Sequence, residues 1–307
     1  MSASNPSLSL EAAPTTAVRR GGFRFNPKWL LHLTLFLLAI VWLVPTVGLL
    51  ITSFRPREAI AASGWWTAFT PMNFTMENYT QVMEAQGMGE AFLNSFMITI
   101  PSTLLPLVIA SLAAYAFAWL KFWSSDIIFL VLMALLVVPI QTALIPALQI
   151  VNGISPGLAS AGFDPKIVSF IRIWIVHTAF GLPFAIYLLR NFFASIPREL
   201  LESSRIDGAG DFTIFLRMII PLSVPALASL AIFQFMWVWN DLLMALVFMN
   251  NPETQPVTVR IQAMLGTYAS EWDIMSAAAF ISMIVPLMVF FALQRYFVVG
   301  LTAGAVK

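Results

Sequence analysis

Of 307 residues, 59% are hydrophobic and only 10% charged, whereas soluble domains carry roughly 25% charged residues. This composition suits lipid rather than water as the main solvent. Lys+Arg 16 against Asp+Glu 15 leaves a formal net charge of +1, so there is no broad basic field for nucleic acid. Cys 0 excludes disulfides and thiolate metal sites, and His 2, at His32 and His177, leaves no histidine metal cluster.

Along the chain, a Ser/Pro/Ala-rich stretch over residues 1–27 reads as a disordered tail. Six apolar segments then meet the length that a helix needs to cross about 30 Å of hydrocarbon. They run approximately from Trp29 to Ile51, Ala91 to Leu120, Ile127 to Val151, Ile173 to Leu189, Met218 to Phe248 and Ile274 to Leu293. The first is too long for the core of a cleaved signal peptide and is expected to remain as an anchor. Prolines at 45, 101, 106, 139, 146, 183, 221, 225 and 286 predict bent helices. The expected organisation is an all-α polytopic membrane protein, with a membrane domain over residues 28–300, an outer loop over 52–90 and a short tail over 301–307.

Six spans put both ends on one side. One set of loops holds Arg19, Arg20, Arg24, Lys28, Lys121, Arg190, Arg198, Arg205, Arg217, Arg295 and Lys307; the other holds only Arg55, Arg57, Lys166, Arg172 and Arg260. The positive-inside rule then predicts that both termini and the loop from Arg190 to Arg217 are cytoplasmic. The outer loop is rich in Trp65, Trp66, Phe69 and Tyr79, as an interfacial belt or a surface for a partner or solute would be. In the second span Ala110, Ala114 and Ala118 form a small-residue face for close helix packing.

Within the spans the polar or amphipathic residues Asn94, Tyr115, Gln141, Gln149, Tyr187, Gln234, Trp237 and Asn240 are candidates for a path that matches hydroxyl groups. Each also suits an interhelical hydrogen bond or interfacial anchor. Only the fifth span contains Asp, Glu, Lys or Arg. That residue is Asp241, and a carboxylate in this setting is expected to be paired or functional.

The longest inner connection, over residues 195–213, reads as two short helices around a break. Pro197 suits a first turn, Glu199 favours the positive end of the helix dipole, and Arg198, Glu202 and Arg205 have pairing spacing. Asp207-Gly208 interrupts the helix, with Ala209 and Gly210 extending the turn, and Asp211 is expected to cap the next helix. The result is a rigid elbow. Gly208-Ala209-Gly210-Asp211 also matches the Gly-x-Gly-Asp pattern of intramembrane aspartyl proteases, but its charged loop offers no facing carboxylate within the membrane.

Glu202-Ser203-Ser204, Gly208 and Met218-Ile219-Ile220-Pro221 resemble, in residue type and spacing, the cytoplasmic signature loop of ATP-binding cassette (ABC) importer permeases. Ser203 and Ser204 stand for the family's two alanines, Met218 for isoleucine and Ile220 for leucine. The wider likeness, from about Ala91 to Lys307, is to the maltose-type second permease of the carbohydrate branch. It includes Leu-Arg-Asn-Phe-Phe from Leu189, Trp-Asn-Asp from Trp239 and the tail from Gln294. Ser63-Gly64-Trp65-Trp66 and Val138-Pro139-Ile140-Gln141 are similar to α-glucoside permeases.

The resemblance implies a type I ABC importer permease fold with a core over about 90–296, in the inner or plasma membrane of a prokaryote. It implies that Glu199, Glu202, Ser203, Arg205, Asp207, Gly208, Ala209 and Asp211 couple the chain to an ATPase. The implied partners are a second homologous permease, two ATP-binding subunits and an external solute-binding protein, with a sugar-like solute as cargo. No lysine stands in a Gly-x-x-x-x-Gly-Lys-[Ser/Thr] setting, so this chain is expected to be non-catalytic and to bind no cofactor, with ATP and Mg held by the partners. The alternative on composition alone is an ion-coupled carrier for a neutral solute. That carrier would be expected to place ionisable groups at mid-membrane.

Overall fold

The computed structural model describes residues 28–70, 72–84, 87–120, 122–267 and 271–303, with side chains omitted for 266–267 and 295–303. The tail over 1–27, with Arg19, Arg20 and Arg24, lies outside these residues, as do Lys121 and residues 304–307 with Lys307. The described chain is helical apart from turns and one isolated bridge between Phe69 and Met72.

Two units divide at Thr46 and Val47. Helix α1 (Lys28–Ser53) carries the chain across that division. Its part up to Thr46 is apolar on all sides and exposed along its length, with Phe36 and Trp42 among the most accessible. Such a helix suits lipid or a neighbouring protein rather than water.

In the second unit, the outer loop is folded rather than extended. It contains α2 (Arg57–Ala62), a 3₁₀ turn over Trp65–Thr67 and α3 (Glu77–Glu84). Arg55, buried to 3% exposure, donates to the carbonyls of Ala59 and Ser63 and to Ser63 Oγ. Asn78 closes the loop by donating to the carbonyls of Ser53 and Arg55. Of the aromatics, Tyr79 shares a 2.7 Å hydrogen bond with Ser53, while Trp66 is 70% exposed.

The bundle follows: α4 (Met88–Trp119), α5 (Ser125–Leu135), α6 (Ile140–Ser160), α7 (Pro165–Phe193) and α8 (Arg198–Ile206). After α9 (Asp211–Ile214) come a π turn over Phe215–Ile219, α10 (Ile220–Leu222), α11 (Val224–Trp239), α12 (Leu243–Phe248), α13 (Val257–Thr267) and α14 (Trp272–Ala303). Helix α4 packs along α7, and α11 packs on α4 and α14. Ala110 and Ala114 are fully buried in this packing, in line with the small-residue face read from the sequence.

Two spans differ from the sequence expectation. The third, drawn from Ile127 to Val151, is two helices, because Pro139 takes an extended conformation (φ −62°, ψ 129°) at the start of α6. With 11 residues, α5 is only about 16 Å long and too short to cross, whereas α6 is long enough. The fifth is broken: the segments Asp211–Leu222 and Val224–Trp239 meet at 75°. Counting that pair as one, six candidate spans remain among the described residues. Pro225 cannot donate to the preceding turn, and Ser223 N–H is shared between the carbonyls of Ile219 and Ile220, so the corner keeps its backbone satisfied.

Where α7 meets α11, Gly181 lies directly against Gln234. A Cβ there would sit 2.8 Å from Gln234 Nε2, the atom that donates to the Ser102 carbonyl at 3.1 Å. Gly181→Leu is therefore expected to cost about 1–3 kcal/mol by overpacking and by breaking a buried hydrogen bond. A lowered melting temperature of the purified protein checks this, and Gly210→Ala, which has open space around it, serves as the control.

Candidate coupling elbow

The elbow forms as its residues dictate. Pro197 sits at the cap position before α8, Glu199 lies in the first turn and Arg205 in the last, matching the helix dipole. Ser203 and Ser204 both turn their hydroxyls back to the Leu200 carbonyl at 3.0 Å. Asp207 is the cap residue that follows Ile206, the last of the helix. Gly208 then adopts φ +85°, a left-handed conformation. The Gly208 N–H donates to the Arg205 carbonyl and the Ala209 N–H to the Ser204 carbonyl, which together form a Schellman stop.

What roots the elbow is apolar. Leu201, 1% exposed, is packed in one cluster with Ile214, Phe215 and Ile219 from the next segment, Ala114 and Tyr115 from α4, and Leu189 and Phe193 from α7. Ala209 packs against the same cluster. The opposite face is open: Leu200 is 41% and Ile206 86% exposed, alongside the exposed charges of Glu199, Glu202 and Asp207.

Two expectations about charge are corrected. Arg205 does not pair with Glu202; Glu202 sits 3.7 Å from Arg198, and Arg205 Nη2 donates to Asp211 Oδ1 at 3.0 Å. That bond raises the guanidinium pKa above its ordinary value. Asp211 is not the cap either. Gly210 occupies the cap position without a side-chain hydrogen bond, and Asp211 is the first residue of α9, its carboxylate engaged by Arg205.

The membrane candidates separate into groups. Gln234 and Trp237 share a cavity of about 250 Å³ with Phe180, Gly181, Phe184 and Phe233. Tyr187, exposed and one turn beyond Phe184, continues that aromatic row along α7. Gln141 and Gln149 are exposed on α6. Asn94 instead ties α4 to the carbonyls of Glu253 and Gln255, and Asn240 donates to the Met236 carbonyl of its own helix. Tyr115 is buried against the elbow, its hydroxyl 3.4 Å from Asp211.

Asp241 accepts the Ala245 N–H of the first turn of α12 at 3.1 Å and lies 3.9 Å from Nε2 of the buried His177, beyond hydrogen-bond distance. Sequence reasoning did not bring His177 to Asp241, nor Phe180, Phe184 and Phe233 to the cavity. The four-residue spacing of Phe180 and Phe184 was the available signal.

The family described as binding-protein-dependent transport system inner membrane component matches residues 106–302. The chain belongs to this family. As an inner membrane component of an ABC importer it is a membrane-spanning permease subunit, and the ion-coupled carrier finds no support in that membership. Two relatives cover nearly the whole chain. The osmoprotective compounds uptake permease protein GgtD of Synechocystis sp. is 47% identical, over 92% of this chain and 93% of its own. The alpha-glucoside transport system permease protein AglG of Rhizobium meliloti is 39% identical, over 91% and 97%. A crystal structure of a bacterial ABC transporter that imports the acidic polysaccharide alginate matches with a TM-score of 0.59, over 88% of this chain and 95% of that one. At 18% identity that match speaks to the fold, which is the importer permease fold.

The two faces of α8 carry opposite expectations for stability. Leu201→Ala opens a cavity in the shared cluster and is expected to cost about 2 kcal/mol or more, whereas Ile206→Ala, at the exposed tip, should stay within about 0.5 kcal/mol of the parent. Thermal melts of the purified protein read both.

Proposed function

We propose that this permease carries a neutral sugar or sugar-like solute of the oligosaccharide or α-glucoside class into the cytoplasm by alternating access, driven by two ATP-binding subunits. The observation that carries the reading is the elbow, rooted by Leu201 in the bundle yet presenting Leu200, Ile206 and the charges of Glu199 and Glu202 outward. Exposed apolar side chains rimmed by charge suit a protein surface better than water. A soluble ATPase gripping this tip displaces a rigid body. Glu202, Ser203, Asp207, Gly208 and Ala209 form or shape the gripped surface, while Arg205 and Asp211 hold its angle.

In this reading the elbow, Arg190 and both termini are cytoplasmic, and a second homologous permease completes the path. An external solute-binding protein delivers the solute to the opposite side. The chain itself is non-catalytic: ATP and Mg belong to the partner subunits, and no cofactor is bound here. The sugar class is supported by the name of the α-glucoside relative and by the cavity lined by Phe180, Phe184, Phe233 and Trp237 with Gln234 beside them. Aromatic faces and an amide match the C–H faces and hydroxyls of a neutral sugar. Asn94, Asn240 and Asp241 act on the outer side as structural ties to this path, and Gln141, Gln149 and Tyr187 offer polar groups on exposed faces.

The assembled complex in proteoliposomes is expected to accumulate a labelled α-glucoside only with ATP on the elbow side. Gly208→Pro, which forbids φ +85° and removes the N–H donated to Arg205, is expected to cut ATP-dependent uptake about tenfold or more. Unimpaired uptake in that variant would reject the elbow as the coupling element.

Because the chain has Cys 0, a single introduced thiol reports its own side of the membrane. Glu202→Cys should react with an impermeant maleimide in inside-out vesicles and resist it in intact cells; the reverse pattern would invert the topology.

A further inference from the structure

One carboxylate oxygen joins three elements at the elbow. Asp211 Oδ1 accepts Arg205 Nη2 at 3.0 Å from the end of α8 and the Tyr115 hydroxyl at 3.4 Å from α4. Asp211 itself starts α9, and the Tyr115 ring packs 5.4 Å from Phe215 in the π turn. Between Arg205 and Asp211 lies the turn at Gly208, where the backbone is left-handed and the space a Cβ would fill is open. That turn is a potential hinge, and the ion pair spans it.

The pair is about half exposed, 47% for Arg205 and 51% for Asp211, so its contribution to global stability is small. Its placement has a different consequence. Burial holds Tyr115 at 5% exposure, so the hydroxyl fixes Asp211 from the membrane side while Arg205 fixes it from the elbow side. Hinge bending at Gly208 would have to break the Arg205–Asp211 bond, because the Tyr115 hydroxyl keeps Asp211 from following α8.

We infer that Asp211 is a positioning joint which, with Arg205 and Tyr115, fixes the angle of the elbow so that displacement of α8 moves the broken fifth span instead of being absorbed at Gly208. This rests on the coupling role proposed for the elbow. It differs from docking, because none of the three acts by touching the ATPase: the two ends of the joint are within this chain.

The quantity that separates joint from fold is solute imported per ATP hydrolysed, measured with the reconstituted complex. Tyr115→Phe removes one oxygen from the joint and is expected to lower that ratio about fivefold, the scale of one ordinary net hydrogen bond, with ATP hydrolysis and melting temperature held. Asp211→Asn should lower it at least as far, and Tyr115→Phe combined with Asp211→Asn no further, since both act through one oxygen. Arg205→Asp with Asp211→Arg should recover part of the ratio lost in either single reversal. An unchanged ratio in Tyr115→Phe, singles whose effects multiply in the double variant, or a loss that only follows a lowered melting temperature would each overturn the joint. The wider coupling role stands or falls separately on Gly208→Pro.

Discussion

Burial of Leu201 ties a helix outside the membrane to a bundle within it. A fully buried leucine contributes about 1.5–3 kcal/mol, and here its neighbours come from α4, α7 and the segment that opens the fifth span. Without that contact α8 would be held to the bundle chiefly by the exposed Arg205–Asp211 pair, and a partner gripping its tip would act chiefly through that pair. With it, Ile214, Phe215 and Ile219 belong to the same packed body as Leu201. Close-packed interiors transmit displacement instead of absorbing it, so under the proposed coupling role the cluster makes a surface helix a lever.

The lever continues into a broken span. The π turn over Phe215–Ile219 and the 75° corner at Ser223 lie within one run of residues 211–239. In hydrocarbon a corner of this kind survives only if its freed backbone groups find partners. Ser223, fully buried, supplies its N–H to two carbonyls, and the missing donor of Pro225 demands none. The corner is therefore a fixed bend between the elbow's segment and α11, where Gln234 and Trp237 face the aromatic cavity, and in the proposed mechanism it redirects motion from one axis onto the other. Elbow and cavity are two ends of one element.

Much of the elbow was legible because its signals are local. Pro197, Gly208 and the small residues after it specify start, stop and turn within a dozen positions, and the structure meets them with a Schellman stop. The one misassigned ion pair, Glu202 with Arg205, has an equally local cause: once Gly208 turns the chain, Asp211 comes within 3.0 Å of Arg205, closer than the helical spacing brings Glu202. Hydropathy could not foresee the division before Pro139, since α5, α6 and the turn over Leu136–Pro139 between them form one apolar run. Contacts distant in sequence left no pattern at all. His177 and Asp241, or Tyr115 and Asp211, 96 positions apart, meet only because α4, α7 and the fifth span converge.

The charges of the elbow divide by what they contact. Arg198 and Glu202 are both more than 60% exposed and 3.7 Å apart, a separation and exposure at which an ion pair adds little to folding. These groups are available to an incoming surface at small cost, because little is lost when they exchange partners. Arg205 and Asp211 are also exposed, but a buried tyrosine anchors their carboxylate from below, so exchanging either one disturbs a geometry that extends into α4. Charge at the tip is thus free to recognise and charge at the hinge is committed to shape. Under the proposed coupling role, that separation lets one short loop bind a partner without losing the angle through which the partner acts.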